Sequence, residues 1–131
     1  MLVKVLNDSM THFNYKYTFG LNILQDKLNI DQTIPVGEGG FYYCDINYLD
    51  SHVYRGDFVC IVEIPDDAIV IPLEMNGLKY FRTNKIILLN EIYRFDNDDD
   101  VSYLISLNNR LRDYLNDPFY LNDPLSNRTI Q

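Results

Sequence analysis

The chain has no tryptophan, only one alanine (Ala68), two cysteines and two histidines. Two thiols are too few for a disulfide framework. Cys44 and Cys60 each sit inside an apolar run and lack the C-x-x-C spacing of a zinc site, so both read as buried, reduced thiols. Neither His12 nor His52 has a second ligand at metal-site spacing, which argues against a bound metal. Basic residues are scarce as well: 11 Lys and Arg stand against 19 Asp and Glu, a net charge of −8. A nucleic-acid backbone or an anionic membrane would be repelled, whereas a basic protein partner would not. No apolar run approaches the roughly 20 residues of a membrane span, and MLVKVLND turns polar too early for a signal peptide. The expectation is an intracellular protein. Scarce alanine beside abundant Asn, Ile, Tyr and Asp is what AT-rich codons produce, a clue to origin rather than to chemistry.

What is present is enough for one domain, since 131 residues can bury a core without a covalent or metal staple. Leu2 to Leu6 reads as a strand, and Phe13, Tyr15, Tyr17 and Phe19 alternate with polar residues as a half-buried strand would. Leu21, Ile23, Leu24 and Leu28 suit a short helix or turn, and Asn29 to Gly40 a loop. Phe41 to Cys44 is an aromatic strand, after which Asp45 N-caps a short helix carrying Ile46, Leu49 and Val53 on one face. The nearly unbroken apolar run from Phe58 to Ile64 predicts a strand covered on both faces and the centre of the sheet. Ile69 to Ile71 reads as a strand stopped by Pro72, Asn76-Gly77 as a hairpin turn, and Lys85–Leu89 and Ile92–Phe95 as two further strands. Apolar residues from Val101 to Leu115 recur at helical spacing. The fold class is therefore α+β: a core at residues 1–95 with a mixed or antiparallel sheet and a short helix, a longer amphipathic helix at 96–116, and an extended tail at 117–131 punctuated by two Asn-Asp-Pro repeats.

Candidate ligand motifs mostly fail on inspection. The acid run Asp96 to Asp100 opens like a calcium loop, but its sixth position is Val101 and its twelfth Leu107. Acids gathered before a helix N-terminus explain it instead. The stretch Gly37-Glu38-Gly39-Gly40 precedes a strand and lacks a Gly-Lys-Ser/Thr, so it is neither a dinucleotide fingerprint nor a P-loop. Positive φ and a tight approach to the buried strand are the steric reasons for glycine there. A Cys–His nucleophile pair is possible in composition, yet no nucleophile signature surrounds either cysteine. His52 is expected on the exposed side of its helix.

The order of motifs says more than any one of them. Tyr15-Lys16-Tyr17 with Gly20-Leu21-Asn22, Gly39-Gly40-Phe41-Tyr42-Tyr43, Tyr54-Arg55-Gly56-Asp57, Val62-Glu63-Ile64-Pro65-Asp66-Asp67-Ala68 and Asn84 to Leu88 together resemble the N-terminal domain of giant-virus (mimivirus-type) ankyrin-repeat proteins, over about Lys4 to Phe95. That resemblance implies a cap ahead of repeats that engage host proteins, although no ankyrin signature or 33-residue period is present here. A weaker likeness, to ADP-ribosyltransferases, rests on the order of GGFYYCD, the helix at Ile46 to Val53, FVCIVEIPDDA and TNKIILL. Where that family carries its catalytic glutamate this chain has Arg82-Thr83-Asn84-Lys85, with no carboxylate to steady a developing cation.

The leading expectation is a non-catalytic protein-interaction module of a viral protein in the host cytoplasm. It takes a host or viral protein as partner, with homo-oligomerisation open, and uses no cofactor, metal, nucleic acid or membrane. The alternatives are a self-assembling structural component and a nucleotide- or NAD-binding, ADP-ribosyltransferase-like enzyme. The enzyme would place His12, Tyr42 and Tyr43 around the ligand with Glu63 or Glu91 as an unusual acid.

Overall fold

The N-terminal run Leu2–Leu6 (β1), rather than the stronger run beginning at Phe58, occupies the middle of a seven-stranded sheet. The computed structural model describes residues 1–115, so the tail expected at 117–131 lies outside the described residues. Eight strands follow β1: β2 (Thr11–His12), β3 (Tyr15–Lys16), β4 (Gly20–Ile23), β5 (Phe41–Asp45), β6 (Phe58–Glu63), β7 (Val70–Met75), β8 (Leu78–Thr83) and β9 (Lys85–Arg94). β2 and β3 form a separate ribbon, and the others run β4-β9-β6-β1-β5-β8-β7 with antiparallel pairing throughout. With its helices this is the α+β, antiparallel class read from the sequence. β6 lies next to the centre. The central strand was under-read because Lys4 interrupts its apolar pattern, although the side chain is buried.

Period-two alternation gives the sheet two cores. On one face Val3, Tyr42, Cys44, Val59 and Ile61 pack under two 3-10 turns, Ile46–Ser51 and Val53–Arg55, and under the helices α1 (Asp98–Leu107) and α2 (Arg110–Leu115). On the other, Leu6, Phe41, Tyr43, Phe58, Cys60 and Val62 meet Tyr17 and Ile86. Fully burying Leu49, Leu104 and Leu111 contributes about 1.5–3 kcal/mol each. Both thiols are free and buried, but on opposite faces and on strands separated by β1, not on neighbouring strands.

Several local expectations are corrected. The alternating aromatics are not one strand: Phe13 and Asn14 take positive φ (49° and 64°) and turn the chain into the β2–β3 ribbon. Leu21 and Ile23 belong to strand β4, not a helix. Pro72 lies inside β7 opposite Phe81, tolerated because β7 is an edge strand whose outer side needs no amide donor. Asn90-Glu91 does not break β9, which runs through with a register shift against β6 between Cys60 and Val62. Asn76 and Gly77 make the expected hairpin turn.

The single C-terminal helix is two. Asn108 ends α1 by donating its backbone N–H to the Leu104 carbonyl, and its side chain reaches the Ile46 carbonyl (3.0 Å) and Asp50 Oδ1 (2.8 Å), tying the break to the first 3-10 turn. The acid run sits where the dipole favours it: Asn97 caps α1, Asp98, Asp99 and Asp100 fill its first turn, and Asp100 accepts from the Arg94 amide.

The loop between β4 and β5 is held by Arg82, which has no exposed surface. Its guanidinium donates to the carbonyls of Asn29 (2.9 Å), Asp31 (3.1 Å) and Ile34 (2.5 Å), and its Nε donates to the Tyr42 hydroxyl (3.0 Å). The stem crosses Gly40, where a Cβ would come within 2.2 Å of Arg82 Cγ, and Gly39 takes φ +96°. Gly39 and Gly40 thus serve a backbone bend and the passage of an arginine, in keeping with the steric reading.

Arg82→Met keeps the aliphatic stem and removes every donor. It should cost on the order of 2–4 kcal/mol as buried carbonyls lose partners. Limited proteolysis should then cut between residues 24 and 40, where the parent protein resists; equal resistance would show that the loop is held by something else.

Candidate functional site

β1 and β5 pair only at Leu2↔Asp45 and Val3↔Cys44 and then separate, β1 continuing along β6 and β5 along β8. The Ile46 amide donates to the Met1 carbonyl, so the hydrogen-bonded side of β1 toward β5 alternates through Val3 to Val5, which in an unbroken ladder would meet Tyr42. The Tyr42 carbonyl instead accepts from Lys4 Nζ at 2.7 Å. A lysine side chain therefore stands in for a ladder bond, and the sheet is open beside it.

The opening is a cavity of about 80 Å³. β1 contributes Val3 to Leu6, β5 contributes Tyr42 to Cys44, and β8 adds Tyr80. The ribbon brings Thr11 and His12, and the 3-10 turns bring His52 and Arg55. Rings surround it: Tyr42 lies 6.2 Å from His12 and from Phe13 and 6.4 Å from Tyr80, which lies 6.0 Å from His52. The Tyr42 hydroxyl is committed elsewhere, donating to the Gly37 carbonyl (2.9 Å) while accepting from Arg82.

In a protein of net charge −8 the lining carries Lys4, Arg55, His12 and His52 and, among the described residues, no carboxylate. These basic groups feel one another. Burial brings Lys4 down to about 7, with Arg55 adding to the shift and Cys44 and Cys60 opposing it. Burial and the charges of Lys4 and Arg55 bring His12 down to about 4. Burial, then Arg55 and Lys4 against the opposing Asp50, does the same for His52. The Nε2 of His52 is buried and has no hydrogen-bond partner among the described residues.

Nucleophiles are correspondingly quiet. Burial and the neighbouring Asp45 push the Cys44 thiol up to about 12, and burial pushes Cys60 up to about 11 and Tyr43 up to about 12. Imidazoles and a lysine held below their ordinary values and thiols held above theirs suit the recognition of a ligand better than attack on one.

Of the residues singled out from the sequence, His12, Tyr42 and Tyr43 meet at this cavity. Glu63 and Glu91 do not. Glu63 is exposed at the end of β6, and Glu91 is exposed on β9, where it accepts from the Tyr93 hydroxyl at 2.6 Å. Lys4, His52 and Arg55 escaped sequence reasoning. Lys4 left one signal, a charge inside an otherwise apolar strand. His52, expected on an exposed face, is instead half-buried with its ring against Tyr80. Of the cationic stretch aligned with the transferase glutamate, Arg82 is spent on the β4–β5 loop and Lys85 pairs with Asp67 at 2.5 Å.

The fold and cleft define a small antiparallel α+β domain with a basic, aromatic-lined opening at the middle of its sheet. No family model matches the chain, and no solved structure matches it. It is 30% identical over 95 residues to a protein of Acanthamoeba polyphaga mimivirus named "Uncharacterized protein R869", covering 72% of this chain and 69% of that one. The chain belongs to the family of that giant-virus protein.

Two measurements follow from the ionisation pattern. Cys44 and Cys60 should ignore a thiol reagent in the native protein and react fully once denatured; fast native labelling would restore the Cys–His alternative. The histidines, depressed from 6.5 to about 4, leave the unfolded chain binding more protons between those values, so stability should rise with pH across that window. Lys4, depressed from 10.5 to about 7, has the same sign above pH 7, until the raised thiols oppose it beyond about pH 9. Chemical denaturation should show Lys4→Met flattening the rise between about pH 7 and 9, and an unchanged slope would place the titration elsewhere.

Proposed function

We propose that this domain is a non-catalytic protein-interaction module of a giant-virus protein acting in the host cytoplasm, and that it grips its partner through the cleft between β1 and β5. The observation that carries this reading is size combined with chemistry. A cavity of about 80 Å³ seats a group of a few atoms, whereas pockets that enclose small ligands run to roughly 300–1,000 Å³. What enters is therefore the end of something larger, and the rest must lie on the surface outside. Phe13, exposed at the ribbon turn beside Tyr42, offers rigid aromatic area for that contact. The same module could cap ankyrin repeats in the manner of the proteins whose motif order it shares.

The meeting of His12, Tyr42 and Tyr43 in one cavity favours a second reading, an ADP-ribosyltransferase-like site. Against it stands the absence of Glu63 and Glu91, both exposed, from the lining.

Calorimetric titration with NAD, ADP-ribose and ATP should give no saturable binding, and NAD should survive incubation. Peptides selected from a displayed random library should bind and lose affinity at least tenfold on Arg55→Gln, with the fold retained by circular dichroism. Micromolar dinucleotide binding lost on His12→Ala, or turnover of NAD, would transfer the cleft to the enzyme reading.

A further inference from the structure

The cleft brings several hydrogen-bond donors together, beside the acceptors that the neutral imidazoles and the Val5 carbonyl supply. Lys4 Nζ has three protons and gives one to the Tyr42 carbonyl. The alternation that places the Val5 amide on the β5 side turns another donor toward the gap. His12, His52 and Arg55 complete a set arriving from β1, the ribbon and the 3-10 turns, so it surrounds the cavity instead of lying in one plane. Ring-lined clefts can also hold ammonium groups, but Lys4 and Arg55 would repel a cation here.

Resting on the reading that the cleft is the binding site, we propose that the group it takes is a phosphate monoester carried by the partner. A carboxylate presents two oxygens in a plane and a single charge. A phosphate monoester presents three strongly accepting oxygens in a tetrahedral array and about −1.5 to −2 charges near pH 7. It matches donors that converge from several directions and neutralises more than one of the four basic groups. The desolvation that holds Lys4 and both histidines toward neutrality is offset when the dianion enters, so they bind it as cations and protons are taken up. The groups facing Lys4 are Cys44 on β5, Cys60 on β6, Arg55 on the second 3-10 turn and the Tyr17 ring at 4.8 Å. Those facing the histidines are Lys4 and Arg55, with Asp50 also beside His52.

The test is a titration of the full chain, followed by amide NMR and calorimetry, with phenyl phosphate, inorganic phosphate, benzoate, and one peptide in phosphorylated and unphosphorylated forms. Phenyl phosphate should bind, shift the amides of Val5, Thr11 and His52, and exceed benzoate at least tenfold. Its affinity should fall about tenfold from pH 7 to pH 9, where the phosphate charge is constant and Lys4 loses its proton. Arg55→Gln should weaken it at least tenfold while the amide spectrum shows the fold retained, and Lys4→Met should reduce the pH dependence. A phosphopeptide tighter than phenyl phosphate identifies a phosphorylated protein as the source, and equal affinity identifies a small ester; both support the phosphate site. Benzoate equal to or better than phenyl phosphate overturns the phosphate class while leaving the interaction module standing. Binding of NAD with no response to any of the three simple anions removes both, and silence toward every anion overturns this inference alone if the selected peptides still bind.

Discussion

A buried guanidinium that forms no ion pair among the described residues holds this domain in its shape. Arg82 donates to three loop carbonyls and the Tyr42 hydroxyl, its charge also acts on the Asp31 carboxyl, and its Cζ lies 5.3 Å from the centre of the Tyr42 ring. An ion so placed is costly to desolvate, and it is stable only if each acceptor stays where it is. The loop from Asn29 to Ile34 is thus obliged to lie against β8. Its continuation is pinned by the same Tyr42 hydroxyl, which donates to Gly37, and by the Tyr80 hydroxyl, which donates to Pro35. Gly40 is glycine because the arginine stem occupies the space a side chain would need.

That clamp and the cleft share a wall. Tyr42 turns its hydroxyl to Arg82 and the loop, while its backbone carbonyl receives Lys4 and its ring helps line the opening. The gap between β1 and β5 is costly for a sheet, because ladder groups lose their usual partners. The lysine meets part of that cost at the expense of its own hydration. A protein with net charge −8 has in this way concentrated two cations and two suppressed histidines around one small cavity. The groups of that cluster disfavour one another's charged forms.

The kinship with a mimivirus protein locates the chain in a lineage, and the cleft gives that lineage a chemical feature to examine. Of the residues that the enzyme alternative names, His12, Tyr42 and Tyr43 meet at the cavity. The arrangement of acids that would complete it is absent from the cavity lining, and the basic stretch Arg82 to Lys85 serves the loop and an ion pair. Aromatic order along a chain is therefore compatible with recognition as well as with group transfer.

Local pattern determined much of the fold. The strand at Phe41 to Cys44, the capped short helix after Asp45, the Asn76-Gly77 hairpin, the acid-led helix and the buried thiols were all legible, because each depends on neighbours within a few residues. Errors came where distant contacts overruled local signals: Pro72 stays in a strand because that strand is at the edge, and Asn108 divides a helix because Ile46 and Asp50 claim its side chain. The site was half legible. Composition and motif order brought out His12, Tyr42 and Tyr43, but Lys4, His52 and Arg55 acquire their roles only when β1, the ribbon and the 3-10 turns are brought around one gap. By itself the sequence settled which segments could be buried. Which charges would share a low-dielectric cavity was decided by the tertiary structure, since desolvation and Coulomb repulsion depend on distances that no spacing along the chain contains.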